Sequence, residues 1–192
     1  GARGGISSHQ KGEGNMRKLV CTVMVLCAMG LFLPGLIYAA EKPIVIGAPL
    51  STAFLYGWDA ERGIKLAVEE INAAGGVKVG AAKRPFSVEV IDTRDLEPGV
   101  PVSEALLGLE KLILEKKADF IVGGPVRSEA ALAAMDLLNR YKKVSILTTG
   151  VLTPAYHKKV ADNYAKYKYC FRNTSHVGVM MPEFVSLLED MK

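Results

Sequence analysis

Cysteine, histidine and tryptophan are scarce in this chain, with three, three and one among 192 residues. Cys21 and Cys27 fall inside an apolar run, which leaves Cys170 by itself. A single cysteine forms no internal disulfide, so a disulfide framework is excluded for the rest of the chain. Between Tyr169 and Phe171, Cys170 reads as a small hydrophobe of a strand. The histidines stand in no H-E-x-x-H or Cys/His ligand spacing, which excludes the common zinc motifs. His157 and His176 read as surface loop residues. There is no G-x-x-x-x-G-K-[ST] loop to cradle phosphates and no G-x-S-x-G elbow to carry a nucleophile. The chain shows no catalytic constellation, and no metal or other cofactor is expected.

Charge of one sign is lacking too. Four of the 24 basic residues and one of the 20 acidic ones precede Glu41, so the +4 of the whole chain falls to +1 beyond it. No basic stripe remains to track a nucleic-acid backbone, and no nucleic-acid partner is expected.

Long hydrophobic runs are lacking with one exception, Leu19 to Leu33 (LVCTVMVLCAMGLFL). Met16-Arg17-Lys18 precedes it, and Pro34-Gly35-Leu-Ile-Tyr-Ala-Ala40 follows. A positive start, an apolar middle and a small-residue exit read as a signal peptide over 16–40, cleaved after Ala39 or Ala40. The competing reading is an uncleaved membrane anchor, since Leu19 to Ala40 is long enough to span a bilayer. Pro34-Gly35 and the paired alanines favour cleavage, and the cysteines lie too early for a lipoprotein. Residues 1–15 fit no signal; Lys-Gly-Glu-Gly back-translates to the purine-rich codons of a ribosome-binding site. They read as translated upstream sequence, with Met16 as the start.

From Lys42 on, short β-type runs alternate with helical periodicity. Strands are predicted over 44–48, 86–91, 119–123, 144–148 and 167–172. Helices are predicted over 58–74, 102–117, 128–141 and 179–191. Ile64, Ala67, Val68 and Ile71 make the i, i+3, i+4, i+7 stripe of the first helix, and Gly75-Gly76 ends it. GGVKVG, over 75–80, reads as a cap and turn because it follows a helix. The alternation predicts an α/β fold: an open parallel sheet with helices on both faces. Residues 41–192 are expected to form one ligand-binding lobe.

Ligands of such sheets bind beyond the carboxyl ends of the strands, so the loops 48–57, 92–99, 123–128 and 148–154 carry the argument. Ser51, Thr52 and Tyr56 follow the first strand, Arg127 and Ser128 the third, and Thr148 to Thr153 the fourth. Hydroxyls, backbone amides and a helix N-terminus hold a carboxylate without a metal. The plainer alternative is that Ser128 only N-caps its helix and the threonines only satisfy turns. Arg127 is the sharper case, because a cation beside a helix N-terminus opposes the macrodipole. Either it forms a solvated pair with Glu129, or it points into a cleft and grips a carboxylate.

The opening IVIGAPLSTAFLYGWDAERGIKLAVEEINAAGGV resembles a type I periplasmic solute-binding protein. The branched-chain amino-acid receptors of ABC importers are the nearest group. The likeness runs from Pro43 to Lys192 through Tyr56-Gly57, Asp92-Thr-Arg-Asp95, Val122-Gly-Gly-Pro125, Thr153-Pro154 and Phe171-Arg172-Asn173. It implies two α/β lobes that close on a ligand, the second lobe lying beyond Lys192. It further implies an extracytoplasmic (periplasmic) location and an ABC permease as partner. Carried over by position, the ligand residues are Tyr56, Arg127, Ser128, Gly150, Val151 and Leu152.

Two positions depart from that group, which has a serine at or beside Arg127 and a hydroxyl at Leu152. A guanidinium gained and an acceptor lost suit a carboxylate without an α-amino group, so amino acids and simple carboxylic acids both stand as ligands. The alternative function is a membrane-anchored sensor built on the same fold.

Overall fold

The structure, a computed structural model, describes residues 42–150 and 153–191. The segments read as upstream sequence and signal peptide lie outside the described residues, as do Val151 and Leu152. In chain order the elements are β1 (Ile44–Leu50), α1 (Leu55–Ala73), β2 (Val77–Val79), β3 (Ala82–Arg84) and β4 (Phe86–Asp92). Next come α2 (Val102–Leu114), β5 (Phe120–Gly123), α3 (Ser128–Tyr141) and β6 (Ser145–Leu147). The last are α4 (Ala155–Asp162), α5 (Tyr164–Tyr167), β7 (Cys170–Arg172) and α6 (Val177–Asp190).

Five strands form one parallel sheet in the order β4-β1-β5-β6-β7. The alternation of strand and helix predicts this, because a parallel neighbour needs a crossover that a helix supplies. The order reverses direction beside β1: the chain first steps outward to β4, then returns to β5. That reversal opens a crevice between the exits of β1 and β5, the switch point where such sheets take ligands.

The two faces of β1 are set by its period-2 alternation. Val45 packs against the main core, and a side-chain carbon added at Gly47 would lie 2.8 Å from Ala118 and Ile121. Those residues face α2 and α3. Ile46 faces the other way, toward Ile64 and Val68 of α1. The core proper lies on the α2–α3 side, where Leu109, Leu112, Ile121, Ala131, Met135 and Leu147 are all buried. Full burial of each large apolar side chain contributes about 1.5–3 kcal/mol.

Three small elements depart from the expectation. Residues 75–80 are a helix cap and turn only at their start; Val77–Val79 then pairs antiparallel with Ala82–Arg84. Strands of three residues are too short to display a period. Helix α4 and the single turn α5 occupy a stretch expected to be loop and strand, so β7 shrinks to three residues. Asn163 fixes α5 locally, its side-chain oxygen accepting from the Lys166 amide at 3.2 Å.

The histidines are also more ordered than loop residues. His157 lies within α4, and His176 is the N-cap of α6, its Nδ1 accepting from the Gly178 amide at 3.1 Å. Cys170 is 5 % exposed, and burial pushes its thiol up to about 11, as suits an inert core residue. Helix α6 buries none of its residues although Val179, Met180, Phe184 and Leu187 are apolar. No helix among the described residues is long and apolar enough to cross a membrane.

Candidate ligand-binding site

The glycines of Ile121-Val-Gly-Gly-Pro125 make the exit of β5 possible. Gly123 and Gly124 have φ of 102° and 110°, a region nearly closed to residues with a side chain. A Cβ at either would also lie 2.6 Å from Leu50 or Leu147. This double turn carries the chain across the top of the sheet and delivers Arg127 to the start of α3.

Arg127 itself is the N-cap, extended at φ −68° and ψ 128°, with no side-chain cap. Ser128 is therefore the first residue inside α3, and the plainer alternative, in which it only N-caps the helix, does not hold. The Arg127 guanidinium donates from Nη1 to the Val100 carbonyl at 3.1 Å, and its Nε stands 3.8 Å from Glu129. Glu129 is 72 % exposed at its side chain and Arg127 31 %. The acidic neighbour offsets the unfavourable helix end, at a distance too long for a hydrogen bond.

Tyr56, Val126, Arg127, Ser128, Glu129, Gly150 and Met180 line one open cleft of about 580 Å³. Four of the six residues singled out from the sequence thus share a wall, brought together from the exits of β1, β5 and β6. Tyr56 stands in the first turn of α1, 64 % exposed. Val151 and Leu152 lie outside the described residues. Val126, Glu129 and Met180 are additions: Val126 is an apolar loop residue, Glu129 reads from the sequence only as a partner for Arg127, and Met180 comes from a helix whose apolar residues give no hint which one faces the cleft.

Three of the other hydroxyls of these loops serve the scaffold. Ser51 is fully buried, and its Oγ accepts from the Leu96 amide at 3.4 Å. Thr149, 4 % exposed, donates to the Gly124 carbonyl at 3.1 Å. Thr153 accepts from the Ala155 amide at the start of α4. Here the plainer reading of turn-satisfying hydroxyls is the correct one. Among the described residues no group of histidine, cysteine and carboxylate side chains could hold a metal ion.

The cleft thus gathers a cation, a helix start and an aromatic ring around an open space. The solved structures that resemble the chain share its architecture. A protein from Silicibacter pomeroyi described as a putative branched-chain amino acid ABC transporter superposes with a TM-score of 0.65 at 21 % identity, over 78 % of this chain and 36 % of that one. The fold is that of one lobe of a type I periplasmic binding protein. An extracellular ligand-binding receptor from Rhodopseudomonas palustris HaA2 matches the lobe with a TM-score of 0.56 at 14 % identity, over 79 % of this chain and 37 % of that one. An ABC-type branched-chain amino acid transporter from Rhodopseudomonas palustris CGA009 matches it at 0.52 and 20 %, over 69 % and 33 %. The lobe therefore spans about a third of the length of the structures it matches. No family model and no curated protein matches the sequence.

Proposed function

We propose that this lobe is half of an extracytoplasmic receptor that captures a small carboxylate, an amino acid or a related organic acid, for an ABC importer. The observation that carries the reading is the Arg127 guanidinium on the wall of the cleft at the β1–β5 switch point. A guanidinium matches a carboxylate in a two-pronged hydrogen-bond geometry that a lysine cannot reproduce. Tyr56 offers a ring to the body of the ligand, and the first amides of α3 add donors beside Ser128. In the complete receptor a second lobe closes over the open side. The signal-like segment 16–40 supports export to the periplasm, and a membrane permease is the partner that such a receptor feeds.

Titration calorimetry of the full-length protein tests the reading. Leucine and 4-methylpentanoate, its analogue without the amino group, are the first probes. Arg127→Ala should weaken the better of the two by about tenfold or more, the loss of one charge-assisted contact. Unchanged affinity in Arg127→Ala would sink the proposed carboxylate anchor. A sensor is the second reading, favoured by the apolar run 19–33 if it stays uncleaved; the mass of the mature protein separates the two.

A further inference from the structure

The loop between β4 and α2 begins at the far edge of the sheet, yet it reaches Arg127 two strands away. In the order β4-β1-β5, the exits of β4 and β5 lie on either side of β1. Asp95 and Val100 of that loop both hold Arg127. Asp95 Oδ2 accepts from the Arg127 backbone amide at 2.7 Å, and the Val100 carbonyl accepts from its guanidinium at 3.1 Å. The arginine is thus fastened at both ends, at its backbone amide and at its charged tip, by one loop passing over the end of β1.

Asp95 is 1 % exposed. A carboxylate taken out of water is costly unless donors meet it, and this one is met by the Arg127 amide on Oδ2 and by the Thr93 hydroxyl on Oδ1. The backbone between those two inward-pointing residues is bent to allow this. Arg94 has φ of 52°, a left-handed conformation that is unfavourable for a non-glycine residue. Its side chain turns outward, where Glu97 accepts from its Nη2 at 2.7 Å. Asp92 braces the same turn, its Oδ1 accepting from the amides of Arg94 and Thr52 at 3.1 Å each. Buried charge and left-handed backbone are both spent on aiming one carboxylate at the amide of Arg127.

We propose that Asp95 is the positioning residue of the cleft, its buried carboxylate fixing the backbone of Arg127 so that the guanidinium is held ready for ligand. The inference rests on the reading of Arg127 as the ligand anchor. Asparagine at this position keeps an oxygen for the Arg127 amide, while the freely rotating Thr93 hydroxyl can accept from its NH2 group. Alanine offers neither.

The test follows the Arg127 Nε–Hε signal by NMR relaxation in the full-length protein, assigned by its loss in Arg127→Lys. Asp95→Ala should lower the order of that signal to the level of an untethered surface arginine, and Asp95→Asn should keep it. Asp95→Ser, too short to reach the amide, replaces the alanine variant if that one does not fold. Calorimetry with leucine, 4-methylpentanoate and benzoate then closes a double-mutant cycle. Asp95→Ala should weaken the best-bound probe about tenfold with Arg127 present and less than about twofold in Arg127→Ala. Unchanged side-chain order, or equal losses with and without Arg127, overturns the positioning role. If Arg127→Ala leaves all three affinities untouched, the carboxylate reading falls instead, and the NMR result still decides Asp95.

Discussion

On the α2–α3 side of the sheet Leu109, Leu112, Ile121 and Met135 are each 1 % exposed or less. On the α1 side an equally apolar row runs Val122, Ile146, Phe171 across the adjacent strands β5, β6 and β7, in direct register. Ile146 there is 36 % exposed and Phe171 52 %. Residue type does not distinguish the faces; cover does. Helices α2 and α3 pack on each other and close one side. Among the described residues helix α1 lies on the other, leaving an apolar groove of about 500 Å³ edged by Ile46, Ile64, Phe120 and Val122. The lesson is that the stability of these residues is concentrated on one face of the sheet, while the strand residues of both faces are of the kind that water disfavours.

Leu112→Ala probes that contrast with the largest expected effect. Leu112 is fully buried between the sheet and its neighbours, so the variant should lose about 2–5 kcal/mol in urea denaturation, from lost transfer energy and the cavity left behind. A loss below about 1 kcal/mol would mean that the face is not close-packed.

The closed face has a polar fastening of its own, and pH sharpens the picture there. Asp136 of α3 accepts from Lys159 at 2.8 Å, Lys166 at 2.6 Å and the Tyr167 hydroxyl at 2.9 Å, joining α3 to α4 and α5. Partial burial pushes its carboxyl upward, but the hydrogen bonds from the two lysines and the tyrosine outweigh this and hold it well below the usual carboxylate range. The folded-state value is therefore the lower one. The contribution is present above the unfolded value of about 4 and is lost as pH falls through the acid range. Because the side chain is 49 % exposed, screening limits it to about 1 kcal/mol or less. In Asp136→Asn the stability profile between about pH 2 and pH 5 should flatten relative to the parent. An unchanged slope would count against the fastening.

Much of this architecture can be read from the residues. The periods of Ile44–Leu50, Phe86–Asp92 and the four long helices survive intact, because each is long enough to show its repeat. The hairpin Val77–Arg84 and the turn α5 are too short for that, and their pairing and capping depend on particular neighbours. The cleft is legible in part. A loop rule brings Tyr56, Arg127, Ser128 and Gly150 to one sheet edge, and they do line one wall. What holds Arg127 is not legible, since Asp95 and Val100 reach it only because β4 lies beside β1. Strand order of that kind leaves no mark in periodicity. Nor does the sequence say which hydroxyls turn inward: Ser51 and Thr149 look as available as Ser128 until their burial is known.

Phe171 should show the smallest effect and is the most telling. It lies on the edge strand β7, half exposed, with Ile146 as its in-register neighbour on the sheet. Little of its area leaves water on folding, so Phe171→Ser should change the urea midpoint by no more than about 0.5 kcal/mol of stability. The measurement cuts both ways. A cost near that of Leu112→Ala in the full-length protein would mean that Phe171 is buried there by chain lying outside residues 42–191. The contrast between the faces would then belong to this lobe by itself and not to the complete molecule. A negligible cost in the full-length protein would mean the bare row persists, and an exposed apolar strip of that kind is a surface for contact rather than a core in waiting.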